Sequence, residues 1–493
     1  MARNTVLLYF RMLVLMGVGL VTSRVVLRSL GTEDFGVYSA VAGFVALFTV
    51  LTASLSTAIS RFLTFELGKG DGERLRKIFG TAVCIQLLLF VLIVILADPA
   101  GLWWISHKMV LDPARIPAAR WVLQLSLLSL GIQLVSVPYN AAIIAHERMG
   151  AFAWISLFEG CGKLAVAYAI AVSDGDRLVL YAALLVLVSF LTRLLYGIFC
   201  HRHFPESHYH LSLDRPLFRE MFAFAGWNFI GSGSGILRDQ GGNQLLNLFY
   251  GTAANAAWGL AAQVNGAVQK FVTSFTTALN PQITKSYAAG ERDYMFRLIF
   301  RGSRISVWLL LLVVLPVVFN APFLVDLWLT EVPAGTVLFI RLVLVYLTVE
   351  AISYTMVTAM LATGKIRDYQ LLVGGLQLLN LPVDYILLRQ GAPAHCIYVV
   401  AIVIAVCCLC ARLYMLRRMI GLPVGRFLTD VLGREIVVAA AAVAVPWLLM
   451  GALPLDCWWG FLVHAGVTVL WTAACIFVFG LDADERRSIL HRR

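Results

Sequence analysis

TALNPQITKSYAAG, from Thr277 to Gly290, follows the pattern of an earlier stretch, TAISRFLTFELGKG, from Thr57 to Gly70. The offset is 220 residues, and it also pairs Gly31-Thr32 with Gly251-Thr252, Ala42 with Ala262, and Ser54 with Ser274. A handful of identities carries little weight in so apolar a composition. Position carries more, because each stretch closes the second apolar segment of a half and leads into a basic loop. A later echo pairs AHERM (145–149) with ATGKI (362–366), each just after a fourth segment. The chain reads as two copies of one plan.

That plan is a membrane plan. Of 493 residues 60% are hydrophobic and 14% charged, and the mean hydropathy is +0.83. A soluble domain carries about 25% charged residues. Too little charge remains to cover a soluble core of this size. Apolar runs long enough to cross a bilayer core of about 30 Å recur throughout. We count fourteen, near 5–29, 35–62, 78–97, 117–144, 151–172, 178–200, 217–241, 245–275, 304–325, 333–361, 367–388, 393–415, 434–452 and 457–480. The first is read as a membrane helix rather than a cleavable signal, since Arg11 interrupts it and no small-residue cleavage site follows.

Loop charge sets the expected orientation. The loop after span 2 holds Lys69, Arg74, Arg76 and Lys77, and that after span 8 holds Lys285, Arg292, Arg297 and Arg301. Alternate loops are poorer, with Lys108, Arg115, Arg177 and Arg389 as their main cations. The positive-inside rule then puts the even loops and both termini in the cytoplasm. The same rule accounts for the net charge of +11 without nucleic acid. Six spans separate the repeated elements, so the halves insert in parallel, which points to two bundles with a substrate path between them. The expected fold class is an all-α polytopic membrane protein of about 14 transmembrane helices: two pseudo-symmetric six-helix bundles, 1–200 and 217–418, joined by a cytoplasmic linker, 201–216, with two additional helices and a tail at 419–493.

Charges inside spans mark a functional interior, because each costs several kcal/mol against lipid, about 2.5–3.5 on insertion scales. Span 1 carries Arg11, Arg24 and Arg28. Arg24 and Arg28 share a helix face, while Arg11 lies roughly 100° away. In span 5 Glu159 and Lys163 stand in the favourable order for a helical ion pair. Span 7 ends in Arg238, Asp239 and Asn243 around Gly241-Gly242, a patch expected to break or bend the helix. Span 8 carries Asn255, Gln263, Asn265, Gln269 and Lys270. Glu350 in span 10 and Asp384 in span 11 are acids, with Asp384 close enough to its span's outer end to meet water. Cations outnumber acids among the deeper positions, which suits an anionic headgroup such as a diphosphate.

Other signals carry less. GSGSG (231–235) lacks the Gly-Lys-Ser/Thr of a phosphate loop, and close helix packing explains it better. The histidines of HRHFPESHYH (201–210) lack the cysteines or acids that complete a metal site. DGD (174–176) sits in a loop too small for a membrane glycosyltransferase. Nine cysteines, Cys457 among them, fall mostly within apolar runs and form no disulfide or zinc spacing.

SRVVLRSLGTEDFGVYS (23–39), NQLLNLFYGTAANAAWGLAAQVNGAV (243–268) and NPQITKSYAAGE (280–291) resemble the Wzx-like polysaccharide flippases of the multidrug/oligosaccharidyl-lipid/polysaccharide exporter superfamily. The resemblance implies alternating-access export of undecaprenyl-diphosphate-linked oligosaccharide across the bacterial inner membrane, for O-antigen, capsule or exopolysaccharide, without catalysis. Its partners are then the lipid-linked substrate, membrane lipids and other polysaccharide-assembly membrane proteins. No cofactor is expected beyond coupling to H⁺ or Na⁺. Ser23-Arg24 is similar to the arginine-bearing segment of the first helix in the peptidoglycan-precursor flippase, where that arginine is implicated in diphosphate binding. The matching position in the second half is Gln244. The expected substrate contacts are Arg24, Arg28, Arg61, Lys163, Arg238, Asn243, Gln263, Lys270, Asn280 and Lys285. The expected coupling acids are Glu159, Asp239, Glu350 and Asp384. Two other functions compete: a cation-coupled multidrug antiporter, which the arginines of span 1 disfavour, and a membrane glycosyltransferase or polymerase, which needs larger outer loops.

Overall fold

The computed structural model describes residues 2–46, 48–107, 113–173, 175–208, 214–328, 333–449, 458–482 and 485–486. Lys108, Asp174, His210, Cys457 and the end of the tail lie outside them, as do the side chains of Thr32, Thr252 and Asn255. Every extended element among the described residues is helical. The chain forms two compact units, Met1–Phe229 and Ile230–Arg493.

Unit 1 is built from α1 (Ala2–Ala46), α2 (Thr49–Lys69), α3 (Gly72–His107), α4 (Ile116–Ala145), α5 (Met149–Val172), α6 (Arg177–His203) and the start of α7 (Arg215–Ala288). The first two spans meet inside α1, where Gly31 (φ 78°, ψ 171°) leaves the helical conformation. α1 packs along α5, and α4 packs on α3 and α6. The turn after Gly31 is held by ions: Arg115 reaches Asp34 (3.0 Å) and Asp176 (3.6 Å), and Arg177 donates to the Ser29 carbonyl (3.1 Å).

Unit 2 continues through α8 (Arg292–Phe319), α9 (Ala321–Trp328), α10 (Thr336–Ile352), α11 (Tyr354–Thr363), α12 (Arg367–Leu378), α13 (Asn380–Arg389), α14 (Cys396–Ile420), α15 (Val424–Phe427), α16 (Arg434–Leu449) and α17 (Trp458–Cys475). The 74 residues of α7 would measure about 110 Å as a straight helix. Yet a Cβ on Gly242 would lie 3.6 Å from the Trp258 ring, where a straight helix would separate the two by about 24 Å. The chain therefore reverses between them, and α7 carries both the seventh and the eighth crossings. The expected break at 238–244 is corrected: that patch stays helical, and the reversal follows it. α16 and α17, the additional pair, pack on each other and on α8. The end of α17 is tied down by Arg304, which reaches Asp482 (3.4 Å) and Glu485 (3.0 Å), and by Arg301, 2.9 Å from Glu485.

Ten helices among the described residues are long and apolar enough to cross a membrane, and the bent pair α10–α11 makes eleven. The second, seventh and eighth expected spans fall short. They are the ones rich in Ser, Thr, Asn and Gln, and two of them carry the repeat. Polar spans need shelter from lipid, so their polarity marks an interior rather than an error in counting.

The repeat has a backbone counterpart. Gly70 and Gly290 both take positive φ, 79° and 80°, and end their helices. Only glycine adopts that left-handed stop without cost. Pro281 lies inside α7, and the helix runs on to Ala288. The second echo aligns Glu147 (φ 60°) with Gly364 (φ 76°), again one stop in each half.

Packing in unit 2 is tight where α7, α8 and α11 meet. A Cβ on Gly302 would come within 2.4 Å of Leu279 and 2.6 Å of Thr355. Thr355 cannot give way easily, since its hydroxyl sits between the Ser303 hydroxyl (2.8 Å) and the Ile299 carbonyl (3.1 Å). Gly302→Val is expected to destabilise the protein by about 1–3 kcal/mol, read as a lower Tm in detergent; an unchanged Tm would show that Leu279 and Thr355 move aside.

A second test lies at an end of unit 1. Glu206, outside the spans, is buried 2.5 Å from His146, whose ring stacks on Phe204 at 4.1 Å. Burial raises the Glu206 carboxyl, but the His146 hydrogen bond and charge and Arg76 outweigh it and hold the group below the usual range. A depressed carboxyl contributes stability above its unfolded pKa and loses it as pH falls through the folded one. The Tm advantage of wild type over Glu206→Gln is therefore expected to be full at pH 7 and to shrink below about pH 4.5, the ordinary range for glutamate. A constant difference across that window would contradict the pairing.

Candidate functional site

Unit 2 encloses a cavity of about 360 Å³. Both arms of α7 line it, with Arg238, Asp239 and Asn243 on one and Trp258 and Asn265 on the other; α10 adds Tyr346, α13 adds Asn380 and Asp384, and α14 adds Tyr398. The fold-back of α7 is thus what brings the polar patch of span 7 to face span 8. Trp258 stacks on Tyr398 at 4.6 Å and forms an aromatic wall.

Arg238 is committed within this cavity. Its Nη2 lies 2.8 Å from Asp239 Oδ1, and its Nη1 donates to the Tyr346 hydroxyl at 2.5 Å. The acceptors opposite are not committed. Asn265 Oδ1, Asn380 Oδ1 and Asp384 Oδ1 are buried and lack a hydrogen-bond partner among the described residues. Asn380 and Asp384 stand one turn apart on α13 and so share a face, and the Asn380 amide is oriented by its bond to the Gln377 carbonyl (2.8 Å). Asp384 is 1% exposed, which corrects the expectation that it meets water at the end of its span. A buried carboxylate without a partner is costly, several kcal/mol. Two further orphaned oxygens, those of Asn265 and Asn380, belong to residues that line the same cavity.

Glu350 lies one turn beyond Tyr346 on α10, within electrostatic reach of Arg238 and 3.6 Å from Arg412 on α14. Arg412 was not singled out from the sequence, although a lone arginine inside LCARLYM obeys the same rule that flagged the others. It is 3% exposed and lies within electrostatic reach of Tyr369 on α12. Asn380 was missed too; its signal is the one-turn spacing to Asp384.

The remaining expected contacts of unit 2 lie apart from the residues that line the cavity. Gln263 and Lys270 are exposed on the second arm of α7. Asn280 accepts from the Thr358 hydroxyl (2.8 Å), and Lys285 is half-buried near the helix end.

In unit 1 Arg24 and Arg28 are both exposed, without an ion pair or hydrogen bond among the described residues. Arg24 stands seven residues before the Gly31 break, about 10 Å along the helix, and Arg28 only about 4.5 Å. Arg28 therefore reaches the interface easily, whereas Arg24 needs a polar surround. Arg11 packs over Phe152 (4.3 Å) and touches Ser156. The same α5 face continues to the Glu159–Lys163 pair, 2.6 Å apart. Arg61 lies over Phe62, Phe65 and Phe224 in an aromatic cage.

Solved structures show the class of fold. A MATE transporter in the straight conformation matches with TM-score 0.73 at 16% identity, covering 85% of this chain and 96% of that one. An outward-facing multidrug resistance MATE family transporter of the MOP superfamily matches at 0.70, with 16% identity over 85% and 96%. A MOP superfamily transporter from Pyrococcus furiosus, whose reverse polarity of binding pocket suggests a different function, matches at 0.69, with 16% identity over 85% and 96%. The fold is that of the MOP superfamily transporters. No curated protein matches the chain in sequence. The family model for polysaccharide biosynthesis protein matches residues 1–287, more than half of the chain, and the chain belongs to that family.

Proposed function

We propose that this protein exports undecaprenyl-diphosphate-linked oligosaccharide units across the bacterial inner membrane for surface polysaccharide assembly, with both termini in the cytoplasm. The observation that carries this reading is membership of a polysaccharide biosynthesis family in a chain with a transporter fold. Charge supports it: span 1 holds three arginines and no acid, a set suited to an anionic diphosphate rather than a cationic drug. The headgroup crosses through the protein in alternating inward- and outward-open states, while the lipid tail stays in the bilayer. Arg24 is the principal diphosphate contact, and Arg28 is secondary.

Export is coupled to H⁺ or Na⁺ at Asp384, with Asn380 and Asn265 supplying the other oxygens. Support comes from the three unpartnered buried oxygens. Asp239, held by Arg238, is the neighbouring acid. Glu159, paired to Lys163, and Glu350, paired to Arg412, are already neutralised and serve structure and movement rather than ion loading.

The reading is tested in cells. Loss of this protein is expected to abolish surface polysaccharide and to leave lipid-linked oligosaccharide on the inner leaflet. Normal polysaccharide together with new sensitivity to cationic drugs would transfer the assignment to the multidrug antiporter.

A further inference from the structure

The tenth span is broken where it carries its acid. α10 ends at Ile352 and α11 begins at Tyr354, with a bend of 41° between them. The break is maintained by its surroundings: Ser303 on α8 donates to the Ile352 carbonyl at 2.9 Å, taking up an acceptor that the bend leaves open. Ser353, at the break, is 1% exposed, and its hydroxyl has no partner among the described residues. Glu350 sits three residues before this point.

Around the break lie one buried arginine, Arg412, one partly buried arginine, Arg238, and an acid within electrostatic reach of both. Glu350 is 3.6 Å from Arg412 Nη1, longer than a hydrogen bond, and the Nε and Nη1 of Arg412 lack a hydrogen-bond partner among the described residues. Arg238, on the other side, is held by Asp239 and Tyr346 yet lies within the field of Glu350. Tyr354, the first residue after the break, feels all three charges and accepts from Gln269 on α7 at 3.2 Å. The pairing is therefore loose, and the four charges Arg238, Asp239, Glu350 and Arg412 sum to zero whichever way Glu350 turns.

We propose that Glu350 is a shared counter-ion that exchanges between Arg412 and Arg238, and that this exchange sets the bend of the tenth span at Ser353. In the present arrangement Asp239 satisfies Arg238 and leaves Glu350 to Arg412. When the cation proposed at Asp384 enters the cavity that Asp239 also lines, Asp239 is drawn to it, and Arg238 loses that partner and draws Glu350 toward the cavity. α10 then rotates about the break, and the contacts of Arg412 to Tyr369 loosen. An element with two discrete pairings is what converts a small change of charge into a movement of helices. The link to a cation rests on the coupling proposed above; the exchange at the break does not.

The test places nitroxide labels at Leu338→Cys on α10 and Lys365→Cys just beyond α11, in a protein lacking the nine native cysteines. Their separation is measured by electron–electron double resonance in NaCl, in KCl, and at pH 5 and 8. The wild type is expected to show two distances whose populations shift with Na⁺ or with acid. Glu350→Gln is expected to collapse them to one distance that no condition moves, and the swapped pair Glu350→Arg with Arg412→Glu is expected to restore part of the shift. Should Glu350→Gln fail to fold, Glu350→Asp serves, since it draws the carboxylate back by one methylene; loss of the shift is again expected. A shift that persists in these variants, or a single distance in the wild type under every condition, would overturn the proposal. Failure of the function is read separately: a protein that moves no lipid-linked sugar but still shows the Glu350-dependent shift keeps the exchange and loses the flippase.

Discussion

Arg24→Ala is expected to lower the initial rate of lipid-linked oligosaccharide flipping by 10-fold or more and to leave the fold intact. The loss follows from the chemistry of the contact. A hydrogen bond to a charged group contributes about 1.5–3 kcal/mol, which corresponds to roughly 10–150-fold in rate when the contact is made in the transition state. Arg24 is exposed and unbonded among the described residues, so its truncation should shift Tm little; substitutions away from structural contacts stay within about 0.5 kcal/mol. Arg24→Lys separates charge from shape. An ammonium keeps the charge but loses the fork that grips two phosphate oxygens, so an intermediate rate is expected. Arg28→Ala, nearer the interface, should cost less. Normal flipping by Arg24→Ala with normal folding would remove the arginine from the site while leaving the function in place.

Asp384→Asn is expected to abolish the cation dependence of transport while raising stability or leaving it unchanged. The amide keeps the shape of the carboxyl but removes a buried charge that no side chain balances. Breaking a buried pair destabilises, whereas removing an unpaired charge relieves the structure. The variant should therefore fold at least as well as wild type, with a Tm no lower, and its transport should respond to neither a Na⁺ gradient nor a pH gradient. Asn380→Ala tests the same cluster from its neutral side and should weaken, rather than erase, the response. If Asp384→Asn keeps the full ion response, the coupling acid is elsewhere, and Asp239 is next in line. If it lowers Tm by several degrees, Asp384 has a structural partner.

The membrane class and the two-copy plan were readable because a bilayer leaves few solutions: apolar length, loop charge and matched stops at Gly70 and Gly290 all act locally along the chain. The Glu159–Lys163 pair was readable for the same reason, being set by helical spacing alone. What a single crossing hides is which crossings face one another. The polar patch at 238–244 looked like a helix break because its glycines and amides are weak helix formers; tertiary packing against Leu381 and Trp258 keeps it helical. Asp384 looked like an interfacial acid because it lies near Arg389 in sequence, and only the packing of α13 against α7 and α14 shows it buried. Arg412 escaped notice because it stands alone in an apolar run, and its partner, Glu350, lies far away in sequence.

The most direct measurement reconstitutes the purified wild-type protein in proteoliposomes carrying undecaprenyl-diphosphate oligosaccharide in one leaflet. The appearance of the sugar in the opposite leaflet is followed with an impermeant lectin or glycosidase, with and without an imposed Na⁺ or pH gradient. Protein-dependent transfer of the sugar, accelerated by one of the gradients and absent for free lipid-less oligosaccharide, is the result this account predicts. No transfer above protein-free liposomes for any lipid-linked glycan tried, alongside gradient-driven movement of small organic cations, would contradict it.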